Sequence, residues 1–471
     1  MVDRLKIIKI FKPIEFKFRF ANGTSVNAYD IINLGPLSYS PIYGENITGA
    51  DKYNSIIILY KNGKEKPALK LLDHMKNGYH MNKKIFPGFN QALKTNIEIE
   101  GVPFKEYDPD EIYDTYIQHG SPDKTFPLII LPRVNKSIYD SIYYKTKARF
   151  LEGDIPSQVV TEDLIANDKN YRWSLLSISL QIFAKMGGVP YALDRSVIEV
   201  EDPSETSITI MGLGISTHPL NRKRGVGFVT LFDHNGVWNF MDSRVLSMDK
   251  KEDMSEKIAN LLENCIDRIL TTSAKKYNIL VIHYSGKEVG WKEEEAIRNA
   301  VMNARSMEKF AYVYVLKIKN SDIVIGDKDS PHTMKDGTNT WYPPIGLTFQ
   351  LKPDVFAMVT TGFFDLGEGT VRRIIKTNIY GGLPTVKIIS RHREIELSVH
   401  NDTEYNVSNI DLLATVFGMC RLNYVAISNP VSREPITIRY SREIAWITLR
   451  LMENRVDLSR LNRIRRVMWF L

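Results

Sequence analysis

Apolar positions change their period along this chain, and each change marks an element. SIIILYK from Ser55 and FPLIILPR from Phe126 are short unbroken apolar runs, the pattern of strands buried on both faces. In SIYDSIYYKTKARFLEG and WSLLSISLQIFAKMGG, apolar residues recur at three and four, which predicts an amphipathic helix in each. With a further helix over 66–77, this region alternates strand and helix, the mark of a parallel sheet with helices on its faces. Ligands of such sheets sit where strands end and helices begin. The first fifty residues carry strand-like alternation in IEFKFRF followed by Gly, Pro and Asn turns, so they are expected to add strands to a neighbouring sheet.

After the polar stretch EVEDPSET the pattern shifts. TSITIMGLGIS, GVGFVTLFD and VWNFMDSRVL read as three strands, followed by a helix near 254–273, the strand NILVIHYSG and a helix from about 291. Three strands, a helix, a strand and a helix is the order of an RNase H-like core. The expected class is therefore α/β, with N-terminal strands and linker over 1–54, a Rossmann-like domain over 55–200 and an RNase H-like domain over 201–471.

A length of 471 residues suits two to four domains, and 43% hydrophobic with 25% charged residues excludes extensive disorder. Lys and Arg outnumber Asp and Glu by 62 to 55, an excess that permits phosphate contacts without naming a partner. Arg455, Arg460, Arg463, Arg465 and Arg466 concentrate it near the end, as a nucleic-acid groove or as one solvated helix face. Cys265 and Cys420 sit in apolar helical patterns and are expected in the core, with no Cys/His spacing for zinc and no disulfide framework. The start lacks a signal core and no run reaches bilayer length, so a cytoplasmic protein without membrane insertion is expected.

The candidate chemistry lies between Tyr143 and Lys185. Tyr143 with Lys147, and Gln181 with Lys185, stand one helical turn apart, and Gln158 falls in a loop-like stretch between the helices. Two ammonium groups, a phenol and amides suit a terminal phosphate, and the aromatic face suits a base. The plainer reading is surface lysines, because polar pairs at this spacing occur on any helix. The chain ends RIRRVMWFL. Burying Met468, Trp469, Phe470 and Leu471 would fix the terminal carboxylate, at a desolvation cost unless something cationic receives it. A terminal segment that simply packs on the core is the alternative.

SISLQIFAKMGGVPYAL resembles the Argonaute segment in which a helix ends in a lysine, a small residue and paired glycines before the PIWI domain. The resemblance implies that Tyr143, Lys147, Gln158 and Lys185 bind the 5′ phosphate of a guide strand. It also implies that Gln181 and the terminal carboxylate of Leu471 hold a divalent cation, Mg or Mn, beside it. IMGLGISTHP resembles the opening PIWI strand, with Thr217, His218 and Pro219 kept but Gly214 where active members carry an aspartate. HYSG puts Ser285 at the second acid, and PITIRYSREIAW puts Arg442 at or beside the last. Two-metal hydrolysis needs converging carboxylates. Glycine has no ligating side chain, serine is a poor ligand for a hard cation, and arginine repels one.

Taken whole, the chain resembles a short prokaryotic Argonaute with a MID domain and a catalytically inactive PIWI domain. That implies a non-enzymatic role: anchoring a short guide, RNA favoured over DNA, and pairing it with complementary target DNA or RNA without cutting. An associated effector protein would then act in defence against invading DNA. Glu288, Glu293, Glu294 and Glu295 are read as a solvated helix start. The competing enzyme reading is a divergent RNase H-like nuclease with acids relocated to Asp233 and Asp242, which flank the hairpin DHNG. A guide-free duplex-binding scaffold is the third.

Overall fold

The structure is a computed structural model. It describes residues 6–11, 18–19, 25–26, 53–81, 83–133, 141–194, 196–200, 202–217, 224–247, 254–285, 290–320, 332–333, 339–340, 345–352, 355–360, 363–364, 373–374, 384–392, 407–424, 432, 434–452, 456 and 464–471. Two compact units share the chain, one of Phe18–Ala192, Tyr424–Pro430 and Trp446–Leu471, the other of Met1–Lys17, Leu193–Asn423 and Val431–Ala445.

The unit beginning at Phe18 is built on a parallel sheet of β1 (Ser55–Lys61), β2 (Glu98–Phe104), β3 (Thr125–Leu131) and β4 (Gln158–Thr161), in the order β2-β1-β3-β4. Helices α1 (Glu65–Asn77), α2 (Pro109–His119), α3 (Ile142–Glu152) and α4 (Asp168–Lys185) alternate with the strands, giving the Rossmann-like plan. Every residue of β3 is buried, as its unbroken apolar run requires. Ile57, Leu59, Phe104, Ile112, Ile129 and Phe150 share one core, so sheet and helices bury a common apolar face. Helix α2 is a strong local signal that hydrophobic period alone passes over. Asp108 accepts from the backbone nitrogens of Asp110 and Glu111, and Pro109 fills the first turn.

In the other unit, β5 (Thr206–Thr217), β6 (Arg224–Asp233) and β7 (Trp238–Ser247) form an antiparallel meander. Helix α5 (Met254–Thr272) leads to β8 (Tyr277–Tyr284), parallel to β5, and α6 (Trp291–Arg305) leads to β9 (Phe310–Asn320), parallel to β8. The order β7-β6-β5-β8-β9 is the RNase H-like arrangement. The sheet continues through Pro384–His392, Val355–Met358 and Leu347–Lys352 to an antiparallel edge strand, Lys6–Ile10, whereas Phe18–Arg19 of the IEFKFRF segment pairs with Ser25–Val26 in a separate small sheet. Two helices follow, α7 (Asn409–Met419) and α8 (Ile436–Met452). Cys265 and Cys420 are buried and unbonded to each other, as their apolar surroundings predict.

Alternation along β5 divides its two faces. Met211 and Leu213 join the core made with Ile258, Leu262 and Ile297 of α5 and α6. Gly212 and Gly214, on the opposite face, meet the first turns of α8 at backbone distance: a Cβ on Gly212 would lie 2.1 Å from the Thr437 carbonyl oxygen. Thr230 and His283 flank Gly212 in register on either side. Thr230 Oγ1 donates to that same carbonyl at 3.1 Å, and His283 Nδ1 lies 2.8 Å from the Thr437 hydroxyl. One cross-strand row thus seats the start of α8.

Candidate anion-binding site

Helices α3 and α4 deliver two lysines to one carbonyl oxygen. Lys147 Nζ donates to the Ser157 carbonyl, and Lys185 Nζ donates to the same oxygen at 3.3 Å and to Gln158 Oε1 at 2.6 Å. Gln158 Nε2 donates in turn to Gln181 Oε1 at 3.4 Å. Four of the residues singled out in the sequence, Lys147, Gln158, Gln181 and Lys185, therefore meet around Ser157. Lys147 is 5% exposed and Lys185 1%, so they are not surface lysines. Tyr143 stands half-buried one turn before Lys147, its ring edge-on to Tyr144 with centroids 5.0 Å apart. Burial pushes its phenol well up from the usual range, with the neighbouring Tyr144 adding to the shift. At neutral pH it is a protonated donor.

Ammonium groups taken out of water are costly, and two that share neutral acceptors also repel each other. Each brings three N–H donors and no acceptor. The chemistry of this set is matched by an oxyanion bearing more than one charge.

Local sequence explains why Lys185 is held so firmly. Helix α4 ends in a paired-glycine turn: Gly188 N donates to Phe183 O at 2.9 Å and Gly187 N to Ala184 O at 3.1 Å, with Gly187 at φ 97°. A Cβ on Gly188 would come within 2.2 Å of the Phe183 ring. The turn sets Lys185 in the last helical turn, where the helix dipole favours a cation. The predicted apolar stripe is wider here than spacing implies, since Ile182, Phe183, Ala184 and Met186 are buried along with Lys185.

Two expectations are corrected. Gln158 is not in a loop but is the first residue of β4, paired in register with Leu128. The cluster consequently lies at the amino end of β4 and not where strands end and helices begin. Long lysine side chains supply its charge in place of helix amino termini.

The hydrophobic tail is buried through Val467, Met468, Trp469 and Phe470, with Leu471 half-buried. Ile464 N donates to Asp154 Oδ1 at 2.9 Å, tying the tail to the turn between α3 and Ser157. Arg466 is exposed, while Arg455, Arg460 and Arg463 lie outside the described residues.

In the unit built on β5, the three positions compared with PIWI acids are neighbours. Leu213 pairs with Tyr284, so Gly214 and Ser285 occupy the next row across two strands. A Cβ on Gly214 would lie 2.7 Å from the backbone nitrogen of Arg442. The Arg442 guanidinium pairs with Glu434. Among the described residues no group of three or more His, Cys, Asp or Glu is placed to hold a metal ion.

The acids weighed as substitutes are otherwise engaged. Asp233 Oδ1 accepts from Asn235 N and Val237 N, the work of a hairpin turn. It pairs with Thr209, five residues along β5 from Gly214, or about 17 Å. Asp242 lies opposite Val229, about 13 Å from Asp233 along the ladder. Glu293 is not solvated as the sequence reading expected. It is buried, and its carboxylate accepts from Ser255 Oγ at 2.6 Å and from Gly290 N at 3.1 Å, closing the start of α6. Its charge, after burial, helps push the Tyr284 phenol up to about 12. Glu288, His218 and Pro219 lie outside the described residues.

Sequence reasoning passed over Ser157, whose carbonyl joins the two lysines, and His283, which is fully buried between Thr437 and Thr415 hydroxyls. Only its place beside Gln158 marks Ser157 in the sequence. A histidine inside the apolar run NILVIHY is a signal for the second.

The Piwi domain family matches residues 127–348. That stretch of the chain is similar to a Piwi domain. Its fold is shared with crystal structures of Drosophila Piwi (14% identity, TM-score 0.65, covering 99% of this chain and 56% of that one) and A. aeolicus Argonaute (17%, 0.54, 94% and 54%). It is also shared with Clostridium butyricum Argonaute bound to a guide DNA and a 19-mer target DNA (16%, 0.58, 94% and 52%). The chain thus spans about half the length of the solved structures it matches. Comparison with curated proteins gives no match.

Proposed function

We propose that this protein anchors the 5′-phosphorylated end of a short guide strand at Tyr143, Lys147, Gln158 and Lys185, and presents the guide for pairing with a complementary target. The observation that carries the reading is the meeting of two buried lysines on the Ser157 carbonyl. A terminal phosphate has the charge and the acceptor oxygens that this donor set lacks. Specificity would then reside in base pairing, with the protein fixing one end and the helical path.

Gln181 Oε1 and the Leu471 carboxylate would hold a divalent cation beside the phosphate. Hard cations take oxygen ligands, and an amide oxygen already turned toward Gln158 suits one. The ion would add positive charge at the phosphate.

We further propose recognition without cleavage. Gly214, Ser285 and Arg442 supply no anionic ligand where converging carboxylates are needed. A protein that binds without cutting acts through another, so a separate effector, within a bacterial or archaeal cytoplasm and in defence against invading DNA, completes the proposal. That last step rests on the family resemblance alone.

The test compares one short oligonucleotide with a 5′ phosphate and with a 5′ hydroxyl. Loss of the phosphate should weaken binding about tenfold or more, as expected for charge-assisted bonds. Equal affinity would sink the proposal. Sequencing the nucleic acid that co-purifies from the source should give short strands of uniform length with 5′ phosphates. A matched target incubated with guide and Mn²⁺ should stay intact.

A further inference from the structure

We propose that the Ser157 hydroxyl is an additional ligand of the terminal phosphate, donating to an oxygen that the two lysines neutralise. This rests on the anion-site reading above and adds a residue to it. Ser157 is 2% exposed, and its Oγ has no hydrogen-bond partner among the described residues. Folded proteins seldom leave a buried hydroxyl unbonded, and where one occurs a missing water, ion or ligand is the usual reason.

Its position argues for a ligand. The carbonyl of Ser157 receives both Lys147 and Lys185. Covalent geometry keeps a serine hydroxyl within roughly 5 Å of its own carbonyl oxygen, so Oγ is within reach of an anion gripped by both ammonium groups. Two amide oxygens of the cluster already accept other donors: Gln158 Oε1 from Lys185, and Gln181 Oε1 from the Gln158 amide. An incoming phosphate oxygen would give the hydroxyl an acceptor.

The hydroxyl is also held in place. Ser157 immediately precedes the first residue of β4, whose register with β3 is fixed from Leu128–Gln158 onward. A donor on such a backbone loses little freedom on binding. A phosphate monoester offers three terminal oxygens, enough for two ammonium groups, an amide and this hydroxyl.

The experiment uses the full chain with Ser157→Ala, and one oligonucleotide bearing either a 5′ phosphate or a 5′ hydroxyl. The wild type should prefer the phosphorylated strand. Ser157→Ala should cut that preference about tenfold, leave affinity for the 5′-hydroxyl strand unchanged, and melt no lower than the wild type without ligand. A retained wild-type preference overturns the inference. So does a variant that melts lower or weakens on both strands alike, because the hydroxyl would then be structural. If the wild type shows no preference, the anion-site reading itself fails and this inference falls with it.

Discussion

A Cβ on Gly214 would lie 2.5 Å from the backbone carbonyl carbon of Ser441. The obstructing atoms include helix backbone, which cannot rotate aside as a side-chain end can, and Gly212 is pressed in the same way against Thr437. The pair of glycines is therefore a seat for α8. Gly214→Asp, alone or with Ser285→Asp, should not create metal-dependent cleavage. It should instead destabilise the unit by about 1–3 kcal/mol or more through overpacking. Thermal melting and a cleavage assay with matched target check this. A folded, cutting double variant would show that the helix yields.

Lys185 should behave oppositely in the free and bound protein. Lys185→Met removes one of two like charges that meet at the Ser157 carbonyl, and its long apolar chain suits the buried end of α4. The unliganded variant should melt at or above the wild-type temperature. Binding of the 5′-phosphorylated strand should weaken by about 2 kcal/mol, roughly thirtyfold, while the 5′-hydroxyl strand is little affected. Calorimetry on both strands separates these outcomes.

Much of this was legible in the chain because the signals were local. The apolar run of β3, the helical period of α3, and the glycine pair after Lys185 each act within one turn or one strand. What stayed hidden depends on distant partners. The burial of Glu293 needs Ser255, the seating of Gly214 needs Ser441, and the hub role of Ser157 needs two helices. No spacing rule contains those contacts. Helix α2 is the exception, since Asp108 and Pro109 announce it locally while its hydrophobic period does not.

His283 should make the unit built on β5 acid-sensitive. It is completely buried between the hydroxyls of Thr437 and Thr415, and burial lowers its pKa to about 3. Unfolded, the imidazole would titrate near 6.5. Between those values the unfolded chain binds a proton that the folded chain refuses, so stability falls as pH falls below about 6.5 and is unaffected above it. The loss should approach about 1.4 kcal/mol per pH unit, or roughly 2 kcal/mol by pH 5. Denaturant melts at pH 7.5, 6 and 5 on wild type and His283→Gln test it. The variant should lack this slope, and matching slopes would place the acid sensitivity elsewhere.

The buried tail permits its packing role and its proposed cation role to be separated. Trp469 is 1% exposed and stacks edge-on with Phe470, so Trp469→Ala should cost about 3–5 kcal/mol. Asp154→Ala, which frees Ile464 N, should cost about 1 kcal/mol. Neither variant isolates the carboxylate. Adding Gly-Ser after Leu471 does, because it moves the terminal charge while leaving the aromatic residues where they are. If Leu471 helps hold a divalent ion at the phosphate, the extended protein should keep its melting temperature but lose part of its preference for the 5′-phosphorylated strand. A chelator should then lower that preference in the wild type and not in the extended form. If both proteins keep the full preference with and without chelator, the carboxylate is no ligand, and hydrophobic burial alone accounts for the packing of Trp469 and Phe470.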